Sequence, residues 1–280
     1  MSCKDDVIIA SFDVGVKNFA FCVLQYDQSA KSGLQFPIHE WRCVDVTDES
    51  GVSEKICCAL KNSGEPCKNG AKILTNTGEP YCSVHNPDKE RYKPKTSPKV
   101  KSLSYERLGN AFLKELGCHQ ELWNRVDHVV IEQQFKQNRR MIFLSAIIFG
   151  YFIGLQRDPE SRITRVKFAS SRNKLQVYEE CGGPPITERP RKGAKDHRKW
   201  LAPKHCEWLI RDNKSWLDIF HRYPRKKDDL ADSFLQGADY LYNECRAVKR
   251  ASRRATKKKT TRKKRTTTAT AKKRKKEKSK

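Results

Sequence analysis

Apolar and polar positions alternate or run together in short blocks at the start of the chain. VIIASFD (7–13) and FAFCVL (19–24) are compact apolar runs joined by a connection containing Gly15, which predicts two strands paired as a hairpin. HEWRCVDVT (39–47) predicts a third strand. The period lengthens at YERLGNAFLKELG (105–117), where Leu108, Phe112 and Leu116 fall on one face of an amphipathic helix. DHVVIEQQ (127–134) reads as a buried strand reaching Glu132, followed by an apolar helix over 141–156 and a strand at ITRVKF (163–168). A long basic loop (182–200), short helices at about 203–212 and 214–222, and a last amphipathic helix over 226–244 complete the body. Strands first, then strand alternating with helix, predict a mixed α/β sheet with helices on both faces.

The apolar block at 141–155 is shorter than the roughly 20 residues of a membrane span. Arg139, Arg140 and Arg157 flank it, so a buried core helix and no membrane partner are expected. The N-terminal MSCKDDVII lacks the order of a secretory signal. Eleven cysteines without such a signal favour metal binding in a reducing compartment over disulfides.

Charge changes the picture at the C-terminus. The net charge of the 280 residues is +25, yet 246–280 holds 19 Lys+Arg against one acid, leaving 39 basic and 32 acidic residues before it. That segment cannot bury apolar surface and is expected to be a disordered tail that contacts nucleic-acid phosphates. The expected domains are 1–53 with 102–246, an insert at 54–88, a basic linker at 89–101, and the tail at 247–280. Within the body, Lys17, Arg139, Arg140, Lys192 and Lys195 are the candidate DNA-contacting cations.

The insert carries Cys57, Cys67, Cys82 and His85, a Cys3His set suited to a closed, structural Zn²⁺ site. Cys58 is the alternative to its neighbour Cys57.

The main domain carries a second constellation. Asp13 ends the first strand and Glu132 ends another. In KKDDLADSF (226–234), Asp228 and Asp232 are four residues apart and Asp229 and Asp232 three, so each pair shares a helix face. Carboxylates that converge repel, and an all-oxygen ligand set suits Mg²⁺ or Mn²⁺. Two such ions clamp the attacking and leaving oxygens of a phosphodiester. A nuclease is the expected activity.

SFDVGVKNFAFCVL (11–24), VVIEQQ (129–134) and KKDDLADSF, in this order, resemble the three acidic motifs of RuvC-like Holliday junction resolvases, in particular those of poxviruses, other large DNA viruses and fungal mitochondria. The resemblance covers 7–24, 127–156 and 163–245, with the cysteine insert between the first two motifs. It implies an RNase H-like fold with a mixed five-stranded sheet, a homodimer, and Mg²⁺-dependent symmetric cutting of four-way DNA junctions. It also implies action where viral DNA is replicated in a host cell, in a cytoplasmic factory or the nucleus rather than a mitochondrion. Asp13, Glu132, Asp229 and Asp232 match the family's acids, with Asp228 an extra acid able to replace Asp229. Lys227 is placed to touch the scissile phosphate or orient water, and Lys174 in SSRNKLQVY matches a lysine expected to approach DNA. The alternatives are an RNase H-like nuclease of RNA–DNA hybrids or other branched DNA, and a non-catalytic zinc-containing DNA-binding protein.

Overall fold

The computed structural model describes residues 7–27, 29–30, 35–48, 55–94, 98–170, 172–188, 197–222, 226–244 and 246–247. The tail, apart from its first residue, and the candidate DNA contacts Lys192 and Lys195 lie outside the described residues. The strands are β1 (Ile8–Asp13), β2 (Phe19–Gln25), β3 (Ile38–Val44), β4 (Ile73–Leu74), β5 (Pro80–Tyr81), β6 (His128–Glu132) and β7 (Arg165–Ala169). The helices are α1 (Tyr105–Gly117), α2 (Gln120–Trp123), α3 (Arg139–Gln156), α4 (Gln176–Glu180), α5 (His197–Leu209), α6 (Lys214–Arg222) and α7 (227–244).

Five strands form one sheet in the order β3-β2-β1-β6-β7. The first three are antiparallel neighbours, and β6 and β7 join in parallel. This is the RNase H-like arrangement, with helices on both faces as expected. Every β2 residue except Gln25 is buried, as a strand covered on both faces requires. Alternation sorts the side chains. Ile9, Cys22, Leu24 and Val130 pack with Leu230, Phe234 and Leu235 of α7. Phe12, Phe19, Phe21 and Ile131 pack with Phe112 of α1 and Phe152 of α3 on the opposite face. The insert has its own small hairpin, β4 with β5, around the buried Cys57, Cys67 and Cys82.

Several elements differ from the sequence expectation, among them α2 and the hairpin of the insert. The helix expected from 203 already includes His197, and Pro203 lies inside it. Helix α4 was not expected, because five residues are too few for a helical period to show. By length and composition, α3 is apolar enough to cross a membrane. It packs Leu144, Ile148 and Phe152 into the core.

The seat of α7 fixes the position of its aspartates. The Trp41 indole N–H donates to Leu230 O at 3.0 Å and to Ser233 Oγ at 3.2 Å. The buried Gln236 amide donates to Ser11 Oγ (3.2 Å) and Phe12 O (3.3 Å), tying α7 to β1. Gly237 lets the helix lie close, since a Cβ there would stand 2.7 Å from Leu24 Cδ2 and 3.0 Å from Ser11 Cβ. On an exposed helix Gly→Ala is stabilising by about 1 kcal/mol. Here Gly237→Ala is expected to destabilise by about 1–3 kcal/mol through overpacking, lowering Tm by roughly 3–10 °C in a thermal melt.

Candidate active site and Cys3His centre

Asp13 and Glu132 are brought together by strand alternation and register. Ile9 and Ser11 point to the α7 side of β1, so Asp13 does too; Val130 points there from β6, so Glu132 does too. Phe12 pairs with Ile131 in the parallel ladder, which sets the next residues, Asp13 and Glu132, side by side at the carboxyl edge. The first turns of α7 bring Asp228, Asp229 and Asp232 to the same edge. Asp13 and Asp229 line one cavity of about 270 Å³, together with Gly15, Lys17, Val100 and Met141.

One lysine enters the cluster. Lys174 Nζ donates to Asp232 Oδ2 at 2.8 Å and lies 3.7 Å from Glu132 Oε1. Its side chain is only 11% exposed. Gln134 Nε2 donates to Glu132 Oε2 at 3.3 Å and holds that carboxylate.

Lys174 and the buried, unpaired Lys226 ammonium do not balance the acids, so negative charge stays in excess. Burial, then the neighbouring Glu132 and Asp232, push the Asp13 carboxyl well above its ordinary range, against the pull of Lys174. Burial and the adjacent Asp228 raise Asp229 to about 6, despite Lys199 and Lys226. Burial also raises Asp232, and Lys174 offsets only part of that rise. Carboxylates held this way favour either protons or a cation.

The other candidates are placed as follows. Lys17 is exposed at the cavity mouth. Arg139 is exposed at the start of α3. Arg140 spends its guanidinium on the carbonyls of Val100 (3.1 Å), Leu103 (2.8 Å) and Lys101 (3.1 Å), and stacks on Tyr105. Lys227 is not brought to the carboxylates; its ammonium sits 5.0 Å from the Phe220 ring centroid. Asp228 faces Lys199 at 3.6 Å. Sequence reasoning missed Lys199, Gln134 and Phe135. Phe135, on the loop three residues after Glu132, is 75% exposed.

In the insert, ligand atoms of Cys57, Cys67, Cys82 and His85 all lie within 4.8 Å of one another. His85 Nδ1 is 3.5 Å from both Cys57 Sγ and Cys82 Sγ. Two sulfurs bound to one tetrahedral zinc would sit roughly 3.8 Å apart, so the set fits that ion. Cys57 points inward and Cys58 is exposed. Burial raises the Cys82 thiol, but the N–H groups of His85 and Val84, with Cys57 and Asn69, outweigh it and bring the group down to about 7. That is the thiolate-favouring environment of a ligand. The acidic cluster likewise fits a hard divalent cation, through its oxygen-only donors and excess charge.

The class defined by this fold and site is an RNase H-like domain with a cluster of carboxylates at its sheet edge. Residues 9–136 match the family described as mitochondrial resolvase Ydc2 / RNA splicing MRS1. An uncharacterized protein of Acanthamoeba polyphaga mimivirus is 22% identical over 83% of this chain and 74% of its own length. An uncharacterized protein of Invertebrate iridescent virus 3 is 24% identical over 80% of this chain and 95% of its own. Among solved structures, the yeast mitochondrial Holliday junction resolvase Ydc2 is 14% identical, with a TM-score of 0.47 over 84% of this chain and 79% of that one. The Fowlpox virus resolvase bound to Holliday junction DNA is 16% identical, with a TM-score of 0.43 over 85% and 98%. Residues 9–136 are thus similar to a resolvase family, and the chain has relatives in large DNA viruses, in keeping with the resemblance of its acidic motifs.

The raised carboxyls make stability depend on pH. Their folded values lie above the unfolded ones, so the contribution is full below about pH 4 and is lost as pH rises through about 6, the value for Asp229. In EDTA, Tm is expected to fall between pH 4 and 7, and Mg²⁺ to raise it more at pH 7 than at pH 5. Asp13→Asn, which removes the repelling charge, is expected to raise the metal-free Tm at pH 7 in a thermal melt.

Proposed function

We propose that the protein is a Mg²⁺-dependent endonuclease that resolves four-way DNA junctions by paired, symmetric phosphodiester hydrolysis, in recombination or the processing of replicated viral genomes. The observation that carries this is the convergence of Asp13, Glu132, Asp229 and Asp232 on one sheet edge, with Lys174 paired to two of them and carboxyls pushed up by burial and mutual repulsion.

In this reading the four carboxylates hold two Mg²⁺ or Mn²⁺ ions. When bound, the metal supplies an activated water and stabilises the departing 3′ oxygen. Lys174 keeps Asp232 and Glu132 in place and lowers the local charge a phosphate must meet. Gln134 orients Glu132. Lys17 and Arg139 offer cations to the DNA backbone at the mouth. Phe135 offers a stacking surface to an unpaired base at the crossover. Arg140, whose donors are taken by backbone carbonyls, shapes the rim instead. The basic C-terminal segment adds salt-dependent affinity.

Two cuts related by a two-fold axis need two sites, so we infer a homodimer. An apolar stripe supports this: α3 exposes Ile142, and Phe149 stacks at 5.2 Å on Phe168, itself 42% exposed. The Cys3His set holds structural Zn²⁺ and folds the insert. The viral homologues support action at the site of viral DNA replication in a host cell, cytoplasmic or nuclear. A second reading, a non-cutting nucleic-acid-binding protein, has one point in its favour. The matched family description joins a resolvase with an RNA-splicing protein. The complete set of acids weighs against it.

The test is cleavage of a labelled four-way junction, a matched duplex and an RNA–DNA hybrid. Paired nicks on the junction with Mg²⁺, abolished by EDTA and reduced more than about 100-fold by Asp13→Asn, are expected. Junction binding without cutting, unaltered by Asp13→Asn, would support the second reading. For the insert, Cys67→Ser is expected to lose one zinc equivalent by metal analysis. It should also open 55–94 to proteolysis, because the binding free energy of a structural zinc is folding free energy.

A further inference from the structure

The first turn of α5 bridges the two elements that carry the inward-facing charges. On one side, Arg198 Nη2 donates to Arg172 O at 2.8 Å, two residues before Lys174. On the other, Lys199 Nζ lies 3.6 Å from Asp228 Oδ2 in the first turn of α7. Aromatic contacts stiffen the turn itself. His197 stacks on Trp200 at 5.8 Å, and the Lys204 ammonium sits 4.7 Å from the Trp200 centroid. Lys199 is therefore carried to the edge of the carboxylate cluster by a braced segment.

The pair contributes little to the fold. At 3.6 Å, with Lys199 66% and Asp228 35% exposed, it is a solvent-screened surface ion pair. Its setting is what distinguishes it. The lysine is raised in pKa by Asp228 first, then by Asp229 and Asp232, so it feels three of the acids on α7. A phosphodiester brought to those acids meets their repulsion, and an exposed ammonium tethered beside them offsets it where the strand must pass.

We propose that Lys199, presented by the first turn of α5 and held there by Asp228, positions a backbone phosphate of the DNA strand next to the carboxylates. The inference rests on the nuclease reading and adds a residue and a role to it. Asp228 then serves as the tether of a phosphate contact, while Asp229 and Asp232 face the cation.

The experiment compares the wild type, Lys199→Ala, Lys199→Gln and Lys199→Arg. Junction binding is measured in EDTA across a salt series, and KM and kcat with Mg²⁺. Loss of one phosphate contact reduces the slope of log K against log[salt] by about 0.9. Between 50 and 200 mM salt the Ala and Gln variants should therefore lose about 3.5-fold less affinity than the wild type. KM should rise more than kcat falls, and Lys199→Arg should restore both slope and KM. Ala and Gln variants that keep the wild-type slope and KM, or a loss that Lys199→Arg leaves unrescued, would overturn the proposal. A wild type that cuts the junction alongside variants with unchanged slopes defeats this inference alone. A wild type that neither binds nor cuts branched DNA defeats the nuclease reading with it.

Discussion

Mutual repulsion among partly buried carboxylates is the constraint on which this molecule turns. A fold with Asp13, Glu132, Asp229 and Asp232 on one edge must hold together groups that electrostatics drives apart. The means are rigid and remote from the charges. The ladder between Phe12 and Ile131 fixes two of them, and the Trp41, Gln236 and Gly237 contacts fix the other two by locking α7 against β1, β2 and β3. Apolar packing on both sheet faces makes those positions stiff. Lys174 relieves that repulsion in part.

The charge pattern around the cluster is graded. Lys174 lies inside, against two carboxylates; Lys199 faces Asp228, and Lys17 stands at the cavity mouth. The basic C-terminal segment supplies a further, sequence-distant field. A polyanionic substrate thus meets attraction at long range and ammonium groups at the rim before it reaches the acids. This layering reconciles a strongly basic chain with an acidic centre.

Much of this was legible in the sequence, for identifiable reasons. Strand alternation is strict, so an acid ending VIIASFD and another ending the run before QQ had to share a sheet edge once the strands paired in parallel. Helical spacing put Asp229 and Asp232 on one face. The direction of lysines was not legible, because it depends on neighbours far along the chain. Lys174 turns inward to Asp232 and Glu132, while Lys227, adjacent to the acids in sequence, turns to Phe220. The start of α5 was hidden because its first turn is polar and is held by contacts to Arg172 and Asp228 rather than by an apolar stripe. The choice between Cys57 and Cys58 needed the fold of the insert, where the backbone pairing of Cys57 with Asn69 sets its thiol inward.

The raised carboxyls are expected to exchange protons for a divalent cation. Calorimetric titration of the metal-free protein with Mn²⁺ at pH 6, in two buffers of different ionisation heat, tests it directly. Binding accompanied by proton release, abolished together with the release in Asp13→Asn, is the result predicted. Binding without proton release, or binding that survives Asp13→Asn unaltered, would contradict the claim that this cluster is the metal site.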